Sequence, residues 1–186
     1  MRIVAGKYKG RPLVAPKGQG TRPTSDRARE AIFNVLAHAD WAPAIEQARV
    51  IDLFAGSGGL GLEAMSRGAG FCLFVETDAA ARGAIRDNID AFQLFGHTRL
   101  HRRDATALGE KPANLGAPFD LVLLDPPYGK GLGEKALQKL VEGQWVSENA
   151  AAVFEVGTDE TPEIAGWTVE TIKDYGAAKV LFLSRR

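Results

Sequence analysis

From Val50 onward, short apolar runs of strand length alternate with longer amphipathic stretches, and nothing else in the chain restricts its fold as tightly. The runs cover 50 to 54, 71 to 75, 98 to 101, 119 to 124, 151 to 156, 167 to 172 and 179 to 183, with helix-like segments near 59 to 67, 78 to 95 and 132 to 142. Such alternation implies crossover units and a mostly parallel sheet covered on both faces. The last two runs are joined only by Lys173 to Ala178. That link is too short for a helical crossover, so these two runs should pair antiparallel.

Upstream, extended pieces around Ile3-Val4 and Leu13-Val14 flank Gly6-Lys7-Tyr8-Lys9-Gly10, which predicts an N-terminal β-hairpin. Residues 16 to 23 contain Pro16, Gly18, Gly20 and Pro23 and read as a loop. A helix should follow, capped by Thr24 or Ser25, with Ala28, Ala31, Ile32, Val35 and Leu36 at helical spacing. With 186 residues, 45% of them hydrophobic and 25% charged, the chain can bury one good core. One domain is expected over 1–186, with 1–23 as a hairpin-and-loop extension and 24–186 as the core.

The net charge of +0 conceals a segregation. Through Ser25 the chain carries Arg2, Lys7, Lys9, Arg11, Lys17 and Arg22 and no acidic residue. The stretch is either a contact for a polyanion or a solvated arm. Cys72 is alone, within Phe71-Cys72-Leu73-Phe74-Val75, which excludes an intrachain disulfide and suggests a buried thiol in a reducing compartment. No apolar run approaches the ~20 residues of a membrane span. His38, His97 and His101 lack metal-ligand spacing, so no metal is expected. The chain reads as soluble, cytoplasmic and monomeric.

Val50-Ile51-Asp52-Leu53-Phe54 runs into Ala55-Gly56-Ser57-Gly58-Gly59-Leu60-Gly61, a strand followed by a glycine-rich turn that opens a helix. Such a turn lets a ligand approach the backbone and meet the free amides of the helix N-terminus. Glu76, twenty residues after Gly56, ends the next strand and is placed to bind a ribose diol. Three readings fit: a turn without ligand, a nicotinamide or flavin site, and an S-adenosylmethionine site. Asp52 favours the last, because its charge would repel a pyrophosphate but suits cationic amino and sulfonium groups. It could equally serve as a local hydrogen-bond acceptor.

Phe119-Asp120-Leu121-Val122-Leu123-Leu124 stops at Asp125-Pro126-Pro127-Tyr128. In an open parallel sheet, ligands bind beyond the carboxyl ends of the strands, so this tetrapeptide and the glycine loop should share one crevice. The lone pair of an exocyclic base amine is delocalised into the ring. A carboxylate (Asp125) and a backbone carbonyl freed by Pro126 and Pro127 can accept its N–H groups and aim that lone pair at a methyl donor. Tyr128 offers a face on which a flipped-out base can stack. The alternative is a plain Asp-Pro-Pro turn.

With Asp52 to Gly58, Glu76, Asp104 and Asp125 to Tyr128 in this order, the chain resembles a class I, Rossmann-like adenosylmethionine-dependent methyltransferase that acts on amines. Met1-Arg2-Ile3-Val4-Ala5-Gly6 and Arg22-Pro23-Thr24-Ser25-Asp26-Arg27-Ala28-Arg29-Glu30 narrow the resemblance to the RsmD family, bacterial 16S ribosomal RNA guanine-N2 methyltransferases. The resemblance implies an α/β fold with a seven-stranded sheet whose last strand is antiparallel. It implies a cofactor site of Asp52, Phe54, Ala55, Gly56, Ser57, Gly58, Glu76, Thr77, Asp104 and Ala105, with Glu76 on the ribose and Asp104 and Ala105 beside the adenine. It implies a reaction centre of Asp125, Pro126, Pro127 and Tyr128. RNA contacts are expected from Arg2, Lys7, Lys9, Arg11, Arg22, Thr24, Asp26 and Arg29, within a small-subunit particle. A DNA or other RNA adenine or cytosine methyltransferase, a protein-glutamine methyltransferase and a noncatalytic RNA-binding module remain open alternatives.

Overall fold

A computed structural model describes residues 1–17 and 23–185; Gly18, Gly20 and Arg22 lie outside the described residues. Seven strands form one sheet: β1 (Arg49–Leu53), β2 (Phe71–Val75), β3 (Thr98–His101), β4 (Phe119–Leu124), β5 (Val146–Gly157), β6 (Thr168–Asp174) and β7 (Ala178–Ser184). Their order across the sheet is β3-β2-β1-β4-β5-β7-β6. The first five run parallel, and β7 lies antiparallel between β5 and β6. The seven-stranded sheet with its last strand reversed is therefore as expected.

The helices are α1 (Asp26–His38), α2 (Gly59–Ser66), α3 (Ala79–Ala91) and α4 (Leu132–Glu142). Ser25 caps α1 by accepting from the Ala28 amide at 3.1 Å, and Asp78 caps α3 by accepting from Ala81 at 2.9 Å. Alternate residues of the central strands feed two separate cores. Val50, Cys72, Phe74, Leu121 and Leu123 pack on one face with Phe33 of α1, Leu62 of α2 and Ile85 of α3. Ile51, Leu73, Val75, Val122 and Leu124 pack on the other with Leu137 and Leu140 of α4 and with Trp145.

The N-terminal pieces join through one isolated antiparallel bridge, Arg2 to Pro12, instead of a ladder. The Ile3 amide donates to the Arg11 carbonyl, and Gly10 to Ile3. This segment is no loose arm. Ile3 and Leu13 are buried, and the Lys7 amide donates to the Ser66 carbonyl at the end of α2. Tyr8 stacks on Phe92 with ring centroids 4.9 Å apart. The Arg11 guanidinium lies 4.7 Å from the Phe92 ring and donates to the Ala91 carbonyl, so the segment is docked against the ends of α2 and α3. Lys7, Lys9 and Arg11 still expose their residues to solvent.

Candidate active site

β1 and β4 are neighbours in register, Leu53 opposite Leu124, so the glycine loop and the Asp125 segment leave the sheet side by side. Strand order reverses here, with β2 and β3 to one side of β1 and β4 and β5 to the other, and open sheets place their ligand crevices at such points. A cleft of about 840 Å³ opens there. Asp52, Phe54, Ala55, Gly56, Ser57, Glu76, Thr77, Asp125 and Pro127 line it. So the two motifs do share one crevice.

The loop is built for close approach. Phe54 takes a positive φ of 54°, a left-handed conformation costing a non-glycine residue about 1–3 kcal/mol. It turns the chain out of β1, where the Ala55 amide donates to the Val75 carbonyl at 3.2 Å. Gly56 has φ +59°, and a Cβ built on it would meet nothing within 4 Å, so the room above it belongs to the cleft. Glu76 reaches across from β2 and accepts from the Gly56 amide at 2.7 Å and from Asp78 at 3.0 Å.

Asp52 lines the cleft while being only 2% exposed, and its Oδ2 accepts from the Gly61 amide at 3.0 Å. The structure thus fills the role of local hydrogen-bond acceptor foreseen for it. Burial pushes its carboxyl well above the usual range; the charge of Glu76 adds to this and the Gly61 hydrogen bond opposes it. Asp125 is also driven well up, first by burial, then by a hydrogen bond and charge from Glu155. The Tyr128 phenol is pushed up by partial burial and by the charges of Glu155, Asp125 and Glu160. Tyr128 stays 45% exposed and, like Gly58 and Pro126, does not line the cleft itself.

Asp104 and Ala105 lie beyond the end of β3, on the sheet edge where β2 releases Glu76, but outside the cleft lining. The Asp104 Oδ1 accepts from the Thr106 amide at 2.8 Å and hydroxyl at 2.7 Å, and these bonds hold its carboxyl below the usual range. Ala105 is buried.

Met1, Lys17, Pro23 and Thr24 also line the cleft, so part of the basic N-terminal stretch faces it. Asp26 accepts from the Arg2 amide at 3.3 Å and from the Arg29 Nη2 at 2.7 Å. Arg29 requires a correction. Expected among RNA contacts, it is 1% exposed, with Nε on Glu63 at 3.1 Å, Nη1 on the Thr24 carbonyl and Nη2 on the Arg2 carbonyl and Asp26. Its donors are committed inside the protein, so it braces the rim.

Three carboxylates were missed by the sequence reading. Glu63, fully buried, accepts from the Val4 and Ala5 amides and from Arg29 and Arg67. Glu160 accepts from the Gly129 amide at 2.9 Å and also from Gly157, tying the Asp125 loop to the end of β5. Glu155 lies beside Asp125; an acidic residue inside the apolar run Ala150 to Val156 was the available signal. Among the described residues no group of three or more His, Cys, Asp or Glu could hold a metal ion, and no helix is long and apolar enough to cross a membrane.

The family model described as conserved hypothetical protein 95 matches residues 1–184. The chain is 35% identical over 178 residues to "Ribosomal RNA small subunit methyltransferase D" of Escherichia coli, spanning 95% of this chain and 85% of that one. It is 35% identical over 180 residues to the protein of the same name from Haemophilus influenzae, spanning 95% and 89%. The solved structure of yhhF from Escherichia coli is similar with a TM-score of 0.85 at 34% identity, covering 100% of this chain and 98% of that one.

Proposed function

Because the chain belongs to the RsmD family of ribosomal RNA small subunit methyltransferases, we propose that it methylates the exocyclic N2 amine of a guanine in 16S ribosomal RNA, with S-adenosylmethionine as donor. The observation that carries this reading is the shared cleft, in which Asp125 and Pro127 face the glycine loop across the point where strand order reverses. Residues 1–186 act as one unit, with the N-terminal extension, docked through residues 1–17, forming the RNA side.

The residues present fit the donor. Glu76 keeps lone pairs on both oxygens for a ribose diol after serving Gly56 and Asp78, and the open space above Gly56 accommodates a nucleoside without a side chain in the way. Asp52 lines the cleft beneath the glycine loop, where a carboxyl meets the donor's cationic end. When bound, the cofactor supplies an electrophilic methyl on a sulfonium. Asp125 and the Pro126 carbonyl accept the two N–H groups of the guanine amine, and Tyr128 lays its ring against the base, a stacking contact worth roughly 1–3 kcal/mol. Holding the amine in line with the methyl provides rate chiefly by proximity and orientation. Met1, Lys17 and Thr24 in the cleft lining and the exposed Lys7, Lys9 and Arg11 guide the phosphate backbone.

Asp125→Ala tests the reading. Methyl transfer to small-subunit RNA should fall by roughly 100-fold, the scale of losing one orienting contact, with adenosylmethionine binding retained in a calorimetric titration. Near wild-type turnover with intact cofactor binding would reject it.

A further inference from the structure

Phe154 of β5 pairs in register with Leu124 of β4, so the next residue on each parallel strand, Glu155 and Asp125, emerges at the same sheet edge. Glu155 is 9% exposed, and its carboxyl lies against that of Asp125. Two ionised carboxylates are acceptors only and repel each other at contact; a proton held between them relieves that repulsion. The surroundings favour keeping it. Asp52 from β1 and Glu160 beyond β5 are acidic, while the Lys179 amine from β7 is turned onto the Glu160 carbonyl. Among the described residues, neither Asp125 nor Glu155 is ion-paired.

We infer that Glu155 is a positioning residue for methyl transfer: carrying the proton it shares with Asp125, it holds the Asp125 carboxylate as an acceptor toward the cleft. The arrangement solves a conflict in the site. Asp125 must accept an N–H from the base amine, yet it lies at a buried edge crowded with carboxyls, where a full second charge is unfavourable. A pair with one proton and one charge gives Asp125 its acceptor character without that second charge. Glu155 need not touch the substrate to do this.

The inference rests on the methyl-transfer reading above, and the test separates the two. Glu155→Ala should lower kcat by roughly 10-fold or more while leaving KM for RNA and the Kd for adenosylmethionine within about twofold, the signature of a contribution confined to the reacting geometry. Glu155→Gln imitates the protonated acid, with an amide that can donate to Asp125. It should recover most of kcat. Because a Glu155 that carries the proton is as neutral as Gln, the acid limb of the kcat–pH profile should stay where it is in wild type. Wild-type kcat in Glu155→Ala, no recovery of kcat in Glu155→Gln, or an acid limb displaced to lower pH in Glu155→Gln overturns the inference.

Should Glu155→Ala not fold, carbon-13 NMR titration of wild-type protein labelled at the Asp and Glu carboxyls decides without substrate or cofactor. The Asp125 carboxyl should titrate in two steps, as a group coupled to its neighbour does; a single independent step overturns the pairing. Absence of methyl transfer by wild-type enzyme would defeat the proposed function, whereas an active enzyme indifferent to Glu155 defeats only this inference.

Discussion

Glu63→Ala is the most informative substitution outside the cleft. Glu63 is fully buried on α2, and its oxygens accept from the Val4 amide at 2.9 Å, the Ala5 amide at 3.0 Å, the Arg29 Nε at 3.1 Å and the Arg67 Nε at 3.0 Å. Alanine would leave Arg29, 1% exposed, with the half-exposed Asp26 as its remaining carboxylate, and two backbone amides without an acceptor. Breaking a buried pair by removing one partner costs about 3–5 kcal/mol. Each orphaned amide adds up to ~1–3 kcal/mol, reduced where water reaches it. Since Val4 and Ala5 are only part-buried, a total of about 4–5 kcal/mol follows, a large share of the roughly 5–15 kcal/mol that holds a domain together. In urea, with a slope of about 2.5 kcal/mol/M, the midpoint should drop by nearly 2 M at unchanged slope. The Val4 and Ala5 amides should also lose hydrogen-exchange protection. A loss below about 1 kcal/mol, or amides that stay protected, would refute the claim that one carboxylate pins the N-terminal segment to the helix beneath the cofactor loop.

Gly61→Ala should destabilise although it lies in a helix. The new Cβ would stand 2.6 Å from Phe74 Cε1 and 2.8 Å from Cys72 Sγ, an overpacking of about 1–3 kcal/mol against a helix-propensity gain of about 1 kcal/mol. Calorimetric melting should fall by a few degrees. Adenosylmethionine affinity should weaken as well, because the same Cβ would lie 3.0 Å from Asp52 Oδ2. Replacing Lys7, Lys9 and Arg11 together with alanine should weaken RNA binding and flatten the slope of log K against log salt by roughly 2, as expected for three lost phosphate contacts. An unchanged slope in a filter-binding series would mean that these cations are merely solvated.

The two motifs were legible because each sits where a continuous apolar run stops. Phe71–Val75, Thr98–His101 and Phe119–Leu124 form strands over the very residues the pattern marks. β5 exceeds its expected 151 to 156 because Val146 to Asn149 are partly or fully exposed and, after the single apolar Val146, polar, and its pairing with β4 shifts register between Phe119 and Leu121. α3 stops at Ala91, short of the expected 95, as Gln93 turns left-handed with φ 55°. Charge patterning could not distinguish a docked segment from a free arm, since docking depends on Tyr8 meeting Phe92 and on Glu63 accepting from Val4 and Ala5. Arg29 was misread for the same reason: its partner Glu63 is thirty-four residues away. Glu155 escaped because its meaning lies in the β4–β5 register, which no local window contains.

Cys72, the chain's one cysteine, is fully buried, with its thiol pushed well above the ordinary range by burial and then by the charge of Asp52. Alkylation requires an exposed thiolate. The sulfur is therefore a clock for the opening of β2 from α2: labelling proceeds only while they separate, at a rate set by the free energy of that excursion. A ligand seated on the glycine loop holds that door shut. Adenosylmethionine at 100 times its Kd should slow the labelling by about 100-fold, so the rate of loss of one thiol reports occupancy of the neighbouring site with no engineered probe.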